Sequence, residues 1–285
     1  MPHQLVEDAF GDPRNALALA SACQFTYFEP VSGAETFRSE LGLDNAKLIS
    51  VDNTQAYVAD NDQHLVVAFR GSQDPTSLDG IKDWLLTNAY NLLVPPAGPL
   101  ATEFAAAGVE CRWHAGFVSA ITEVWDQLHA EVDARQKAKE RCLWVTGHSL
   151  GGALALMGAW LLKRKFFNVH QVYTFGAPMV GNKAVAEAFD REFPGKIFRY
   201  VNTPDPVPLL PMVSLVTNEF THCDRLIPLG EAEGASNLIA YLSTSAGEVV
   251  GGVLAGDVAE KVWGAIKGKL LAHLLDDYRK LLGTG

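Results

Sequence analysis

The chain is short of positive charge: 23 Lys and Arg stand against 33 Asp and Glu, a formal charge of −10. Binding to a phosphate backbone draws on clustered Lys and Arg, so this balance excludes nucleic acid as a partner. Docking onto anionic lipid headgroups is disfavoured for the same reason. Any contact with lipid has to be carried by apolar surface. Only four cysteines occur, Cys23, Cys111, Cys142 and Cys223, and no two form a C-x-x-C pair. That spacing supports neither a zinc site nor a redox motif, and no metal or cofactor is expected. A disulfide between two of the four is left open. No window is long and apolar enough to span a bilayer; the nearest, Leu238 to Leu254, carries Glu248. Residues 1–10 include Glu7 and Asp8 and lack a basic start followed by an apolar stretch, so they do not read as a secretory leader. This points to a reduced, cytoplasmic setting, where thiols stay free, with secretion by another route or a trimmed leader as the alternative. Internal repeats and low-complexity tracts are missing too.

What is present is an ordinary core-forming composition, 48% hydrophobic and 20% charged over 285 residues, enough for one α/β domain. Residues 13–27 read as a helix with Pro13 at its start. Residues 47–51 and 55–59 read as short strands, and His64 to Phe69 (HLVVAF) as a buried one. Helical spacing marks 116–138, 149–166 and 181–193. Short apolar runs mark strands at 142–146, 172–175 and 197–201. Strand and helix alternate, which predicts a mainly parallel sheet covered by helices. Residues 258–283 return to an amphipathic pattern and read as one continuous helix around His273. Between Gln73 and Val109 the chain is rich in both proline and apolar residues. A long loop of that kind reads either as a lid over a site, placed at about 88–108, or as a cover packed on the core.

Gly147-His148-Ser149-Leu150-Gly151 fits G-x-S-x-G. The pattern alone is weak, and its setting is what counts. An apolar strand leads in and a helix leads out, the arrangement that lifts a serine above a sheet end as a nucleophile. The competing reading is a serine that merely caps the helix. A serine hydroxyl is a poor nucleophile at neutral pH without a base and an orienting acid, and on this kind of fold both should follow Ser149 in the chain. Asp205, in Asn202-Thr203-Pro204-Asp205-Pro206-Val207-Pro208, sits just past the strand 197–201. Sites in α/β folds gather at such C-terminal strand ends. Of the later histidines, His170 lies at the wrong end of its strand. His222 and His273 stay equal by spacing alone. His148 adjoins the nucleophile and is expected to point elsewhere.

These residues resemble the class 3 lipases, a family that includes fungal triacylglycerol lipases. The similar pieces come in the family's order: Val66 to Ser72, Asp83-Trp84-Leu85, His114-Ala115-Gly116-Phe117, Val145 to Ala153, Tyr173 to Pro178 with Val180-Gly181-Asn182, then Asn202 and Asp205 to Pro208. The resemblance implies an α/β-hydrolase fold with a Ser149, Asp205, His273 triad, because His273 to Tyr278 is similar to the family's C-terminal His-x-x-x-x-Tyr. His222 then matches a non-catalytic histidine. The oxyanion is expected to meet the amides of Leu150 and Ser72, with the Ser72 hydroxyl as a further donor steadied by Asp83. Residues 231–270 look like an insertion with Gly247, Gly251, Gly252 and Gly256. They read as a helical hairpin over the core or as a lipid or dimer surface. The implied activity is hydrolysis of acylglycerols or related carboxylic esters at a lipid–water interface. An esterase for soluble short-chain, aryl or feruloyl-type esters is the alternative on the same fold. A non-catalytic lipase-like binding module is the alternative from another class.

Overall fold

The computed structural model describes residues 3–71, 93–209, 220–223, 225–230 and 267–283. Helix α1 (Pro13–Phe25) starts where the sequence says it should. Asp12 caps it by accepting from the Arg14 amide at 2.8 Å, and Pro13 fills the first turn. Helix α2 (Pro30–Leu41) buries only a narrow face, Gly33, Phe37 and Leu41, of which just two are large and apolar. Its signals are terminal: Pro30 at the start and Gly42 beyond the end, left-handed at φ 65°.

Strands β1 (Asn45–Val51), β2 (Thr54–Asp60) and β3 (His64–Phe69) form an antiparallel meander. From β3 the sheet turns parallel through β6 (Cys142–His148), β7 (Val169–Phe175), β9 (Ile197–Asn202) and β11 (Arg225–Leu229). The order across the sheet is β1-β2-β3-β6-β7-β9-β11. Strand β11 was not expected from the sequence, where Pro228 and partly exposed positions hide the pattern. Successive side chains on a strand leave opposite faces. Leu65, Val67 and Phe69 of β3 therefore enter one core, while Val66 and Ala68 enter the other. Both faces are apolar, so both are covered by helices. Helices α4 (Ala115–Ala138), α5 (Leu150–Arg164) and α6 (Lys183–Glu192) cover the first. Helix α1 covers the second with α7 (Leu275–Gly283).

Two expectations meet the structure here. The 258–283 region is not a continuous helix where it is described. Lys267–His273 is a 3-10 segment, Leu274 interrupts, and α7 follows. Side chains three apart eclipse in a 3-10 turn, so Leu270 and His273 share the inward face while Leu271 is exposed. The 88–108 lid candidate is anchored over most of its length. Leu93–Val94 (β4) pairs with Trp113–His114 (β5), which pairs on through β8 (Gly181–Asn182) to β10 (Phe220–Thr221), and a short helix, α3 (Ala101–Ala105), carries Phe104 into the core. The Phe104 ring packs 4.8 Å from that of Trp113, and Leu100 is buried beside it. Residues 88–92 lie outside the described residues, as does 231–266 of the insertion. No described helix is long and apolar enough to cross a membrane.

If residues 100–107 belong to the packed body, Phe104→Ala should destabilise the protein by about 3–5 kcal/mol, the usual cost of a large cavity. The urea midpoint measures this. A change below ~1 kcal/mol would instead mark a segment that opens.

Candidate active site

The C-terminal ends of β3, β6, β7 and β9 lie side by side in the sheet. The turn after β6 carries Ser149. Its backbone is held at φ 58°, ψ −131°, a region a non-glycine residue occupies only when its surroundings impose it. The Ser149 amide donates to the Phe175 carbonyl at 2.9 Å, and the Ser149 carbonyl accepts from Gly152 at 2.9 Å. Although Ser149 stands at the N-cap of α5, its side chain makes no capping bond. The capping reading of this serine therefore fails, and the hydroxyl is not committed to the helix. Leu150 opens α5, so its amide is one of the first four that lack an intrahelical acceptor.

Asp205 follows β9 in a turn set by its own backbone: its amide donates to Asn202 at 2.8 Å, and its Oδ1 accepts from the Val207 amide at 2.9 Å. Its Oδ2 accepts from His273 Nδ1 at 2.7 Å and from the Tyr278 hydroxyl at 2.6 Å. His273 and Asp205 are each 2% exposed. An ionised carboxylate only accepts, so Nδ1 carries the proton and Nε2 presents its lone pair. That Nε2 is buried and has no hydrogen-bond partner among the described residues. Burial, with Asp205 adding to it, pushes the Tyr278 phenol well above its ordinary value, so Tyr278 stays a donor to the carboxylate.

Gly176, directly after β7, joins these pieces. Its φ is 59°, and a Cβ there would lie 2.8 Å from Asp205 Oδ2 and 2.9 Å from both His273 Nδ1 and Cε1. The neighbouring residue, Phe175, is the one that holds the Ser149 amide. Gly71 closes the other side: a Cβ on it would sit 3.4 Å from that of Ser149. Ser72, the other oxyanion candidate, and Asp83, expected to steady its hydroxyl, lie outside the described residues.

The structure thus brings Asp205 and His273 together and sets both around the Ser149 turn, and it takes His222 elsewhere. The His222 Nε2 bonds the Pro208 carbonyl at 2.6 Å. Desolvation and the nearby Arg199 push the His222 imidazole down to about 3. It ties down the 3-10 turn Val207–Leu209 just past Asp205. His114 plays a local part as well, capping α4 through Nδ1, which accepts from Phe117 at 3.3 Å, and stacking on the Phe117 ring at 3.9 Å. Two residues to which the sequence assigned no part stand in the site. His148 does not point away from it: its Nε2 lies 2.7 Å from the His273 carbonyl oxygen. Asn202 donates to the Ala272 carbonyl at 2.8 Å. Nothing in the spacing signals either contact, because both partners lie about 70 or more positions away. Among the described residues no group of three or more His, Cys, Asp and Glu is placed to hold a metal ion.

A strained serine turn between a parallel strand and a helix, with an acid past a later strand end and a histidine from the C-terminal segment paired to it, is the α/β-hydrolase arrangement. The family model for lipase (class 3) matches residues 66–215, and the chain belongs to the class 3 lipase family. A secreted mono- and diacylglycerol lipase 1 of Fusarium solani is 35% identical over 161 residues, covering 55% of this chain and 43% of that protein. Secreted mono- and diacylglycerol lipase A of Penicillium cyclopium is 32% identical over 172 residues, covering 60% and 48%. The matched segments therefore span less than half the length of these curated relatives. Among solved structures, Rhizomucor miehei triacylglyceride lipase aligns with a TM-score of 0.57 at 26% identity, covering 76% of this chain and 80% of that one. The triacylglycerol lipase whose catalytic centre is formed by a serine protease triad aligns at 0.59 and 27% identity over the same shares.

The comparisons correct one expectation. A cytoplasmic setting does not stand, since the curated relatives are named secreted lipases. Its physical basis was weak. Cys23, Cys111 and Cys223 are buried and Cys142 half-buried, all four as free thiols. Burial pushes the Cys23 thiol up to about 12. A thiol sealed in the core stays unreacted in any compartment, so it says nothing about redox surroundings.

Gly176→Ala should strain the backbone and crowd the His273 ring, costing about 1–3 kcal/mol. A urea denaturation midpoint equal to that of the unaltered protein would contradict this packing.

Proposed function

We propose that the chain is a serine ester hydrolase acting on acylglycerols or related carboxylic esters, with Ser149, His273 and Asp205 as its triad. The observation that carries this reading is the 2.7 Å bond from His273 Nδ1 to a buried Asp205. It leaves Nε2 unpartnered, and the Ser149 hydroxyl is withheld from capping its helix.

In the first step Ser149 Oγ forms a bond to the ester carbonyl carbon, and its proton passes to His273 Nε2. Asp205 keeps the ring in the needed tautomer and stabilises the imidazolium. The carbonyl oxygen becomes an oxyanion for which the Leu150 amide, at the open N-terminus of α5, is a donor; the family resemblance assigns the further donors to Ser72. Donors of this kind contribute about 3 kcal/mol each. As the tetrahedral intermediate collapses, the C–O bond to the alcohol breaks and His273 gives that oxygen its proton. Water then attacks the acyl-enzyme with His273 again taking the proton, releasing the acid and restoring the Ser149 hydroxyl. The names of the relatives support an acylglycerol substrate and an extracellular setting.

The anchoring of residues 93–108 favours a second reading, an esterase for soluble short-chain esters, because little of the 88–108 stretch is left to swing as a lid. A panel of p-nitrophenyl esters of rising chain length, run below and above the solubility limit, separates the two. A jump in rate on emulsification is expected for the acylglycerol reading, and smooth saturation for the esterase.

Ser149→Ala should abolish turnover on every ester while leaving the unfolding transition in place. Asp205→Asn should lower kcat by about 10³–10⁴. Retained turnover in the first variant, or a loss of only a few-fold in the second, would remove the assignment.

A further inference from the structure

The His273 ring hangs from a weak piece of backbone. It is the last residue of the 3-10 segment Lys267–His273, one residue before α7 begins. Such a segment has poor hydrogen-bond geometry, and carbonyls at the end of a helical segment lack partners within it. A general base must nevertheless be held to a fraction of an ångström. The two carbonyls at this junction are gripped from outside: Asn202 Nδ2 donates to Ala272 at 2.8 Å, and His148 Nε2 meets that of His273 at 2.7 Å.

The grips come from the strand ends that carry the other two members of the triad. His148 ends β6 and immediately precedes Ser149, while Asn202 ends β9 three residues before Asp205. Because the partner of His148 is a carbonyl oxygen, Nε2 must bear the proton. Its Nδ1 is buried without a partner. The ring lies 4.6 Å, centroid to centroid, from that of His273, with the planes 30° apart. Desolvation, and then the neighbouring His273, hold the His148 imidazole well below its ordinary value. A neutral ring therefore faces His273 when His273 takes up its proton, and no like charge opposes that step.

We propose that His148 and Asn202 are positioning residues: their N–H groups clamp the backbone on which His273 hangs, and so fix its ring against Asp205 and Ser149. This rests on the triad proposed above. His148→Leu removes the donor at similar bulk, and His148→Gln returns an amide N–H at nearly the same reach. Asn202→Ala removes the second grip.

Two readouts test the clamp. One is kcat and KM on p-nitrophenyl butyrate. The other is the downfield proton resonance of the His273 Nδ1–Asp205 bond, which needs no substrate. His148→Leu should lower kcat by at least about fivefold, towards a hundredfold, with KM nearly unchanged, and should shift or broaden the resonance. His148→Gln should recover most of both, which a role in packing alone would not produce. A fall in kcat of less than about fivefold, or a Gln variant no better than the Leu variant, overturns the proposal. If His148→Leu does not fold, Asn202→Ala is held to the same kcat and resonance criteria. A wild-type protein that hydrolyses no ester would defeat the triad reading instead, and the resonance would still decide the clamp.

Discussion

The site depends on one buried hydrogen bond, from His273 Nδ1 to Asp205 Oδ2. An unpaired carboxylate at that depth would be costly, and Asp205 escapes the cost because donors surround it. The Val207 amide takes Oδ1, and His273 with Tyr278 takes Oδ2. Remove any of these and a buried acceptor loses part of its compensation. Keep them all and the imidazole has one allowed tautomer and one allowed orientation. The chemistry then follows from where the unprotonated nitrogen is left.

The bond also ties the C-terminal segment to the rest of the fold. Residues 205 and 273 stand 68 positions apart, and α7 lies on the second face of the sheet through Leu275, Tyr278 and Leu282. Tyr278 serves both layers: its ring packs in that core and its hydroxyl reaches the carboxylate. Docking of the last helix and assembly of the site are thus one event. Gly176 leaves the space in which they meet.

Much of this was legible in the sequence, for identifiable reasons. The strands β3, β6, β7 and β9 are short apolar runs that begin and end within a few residues of where hydrophobic patterning puts them. The serine turn is local, so flanking strand and helix signals suffice to find it. Asp205 follows a strand end directly. The histidine is different. Nothing local separates His273 from His222, and only the resemblance to a family chose between them. Its pairing with Asp205 is a tertiary fact. The same holds for His148. The chain brings the carbonyl of His273 to the side chain that precedes Ser149, and no pattern of spacing foretells it. Helix α2 and strand β11 were missed because their burial is too sparse to set a period. Phe104 left two readings open, because an apolar residue in a proline-rich loop reads alike whether it opens to solvent or packs on Trp113.

The most direct test of the convergence is covalent. Diethyl p-nitrophenyl phosphate reacts with a serine in proportion to its activation, and peptide mass spectrometry identifies the residue that carries the phosphoryl group. A single adduct on Ser149 is expected, forming far more slowly in His273→Ala and with a much smaller loss of rate in His222→Ala. An adduct on another residue, or one on Ser149 whose rate follows His222 rather than His273, would contradict the account.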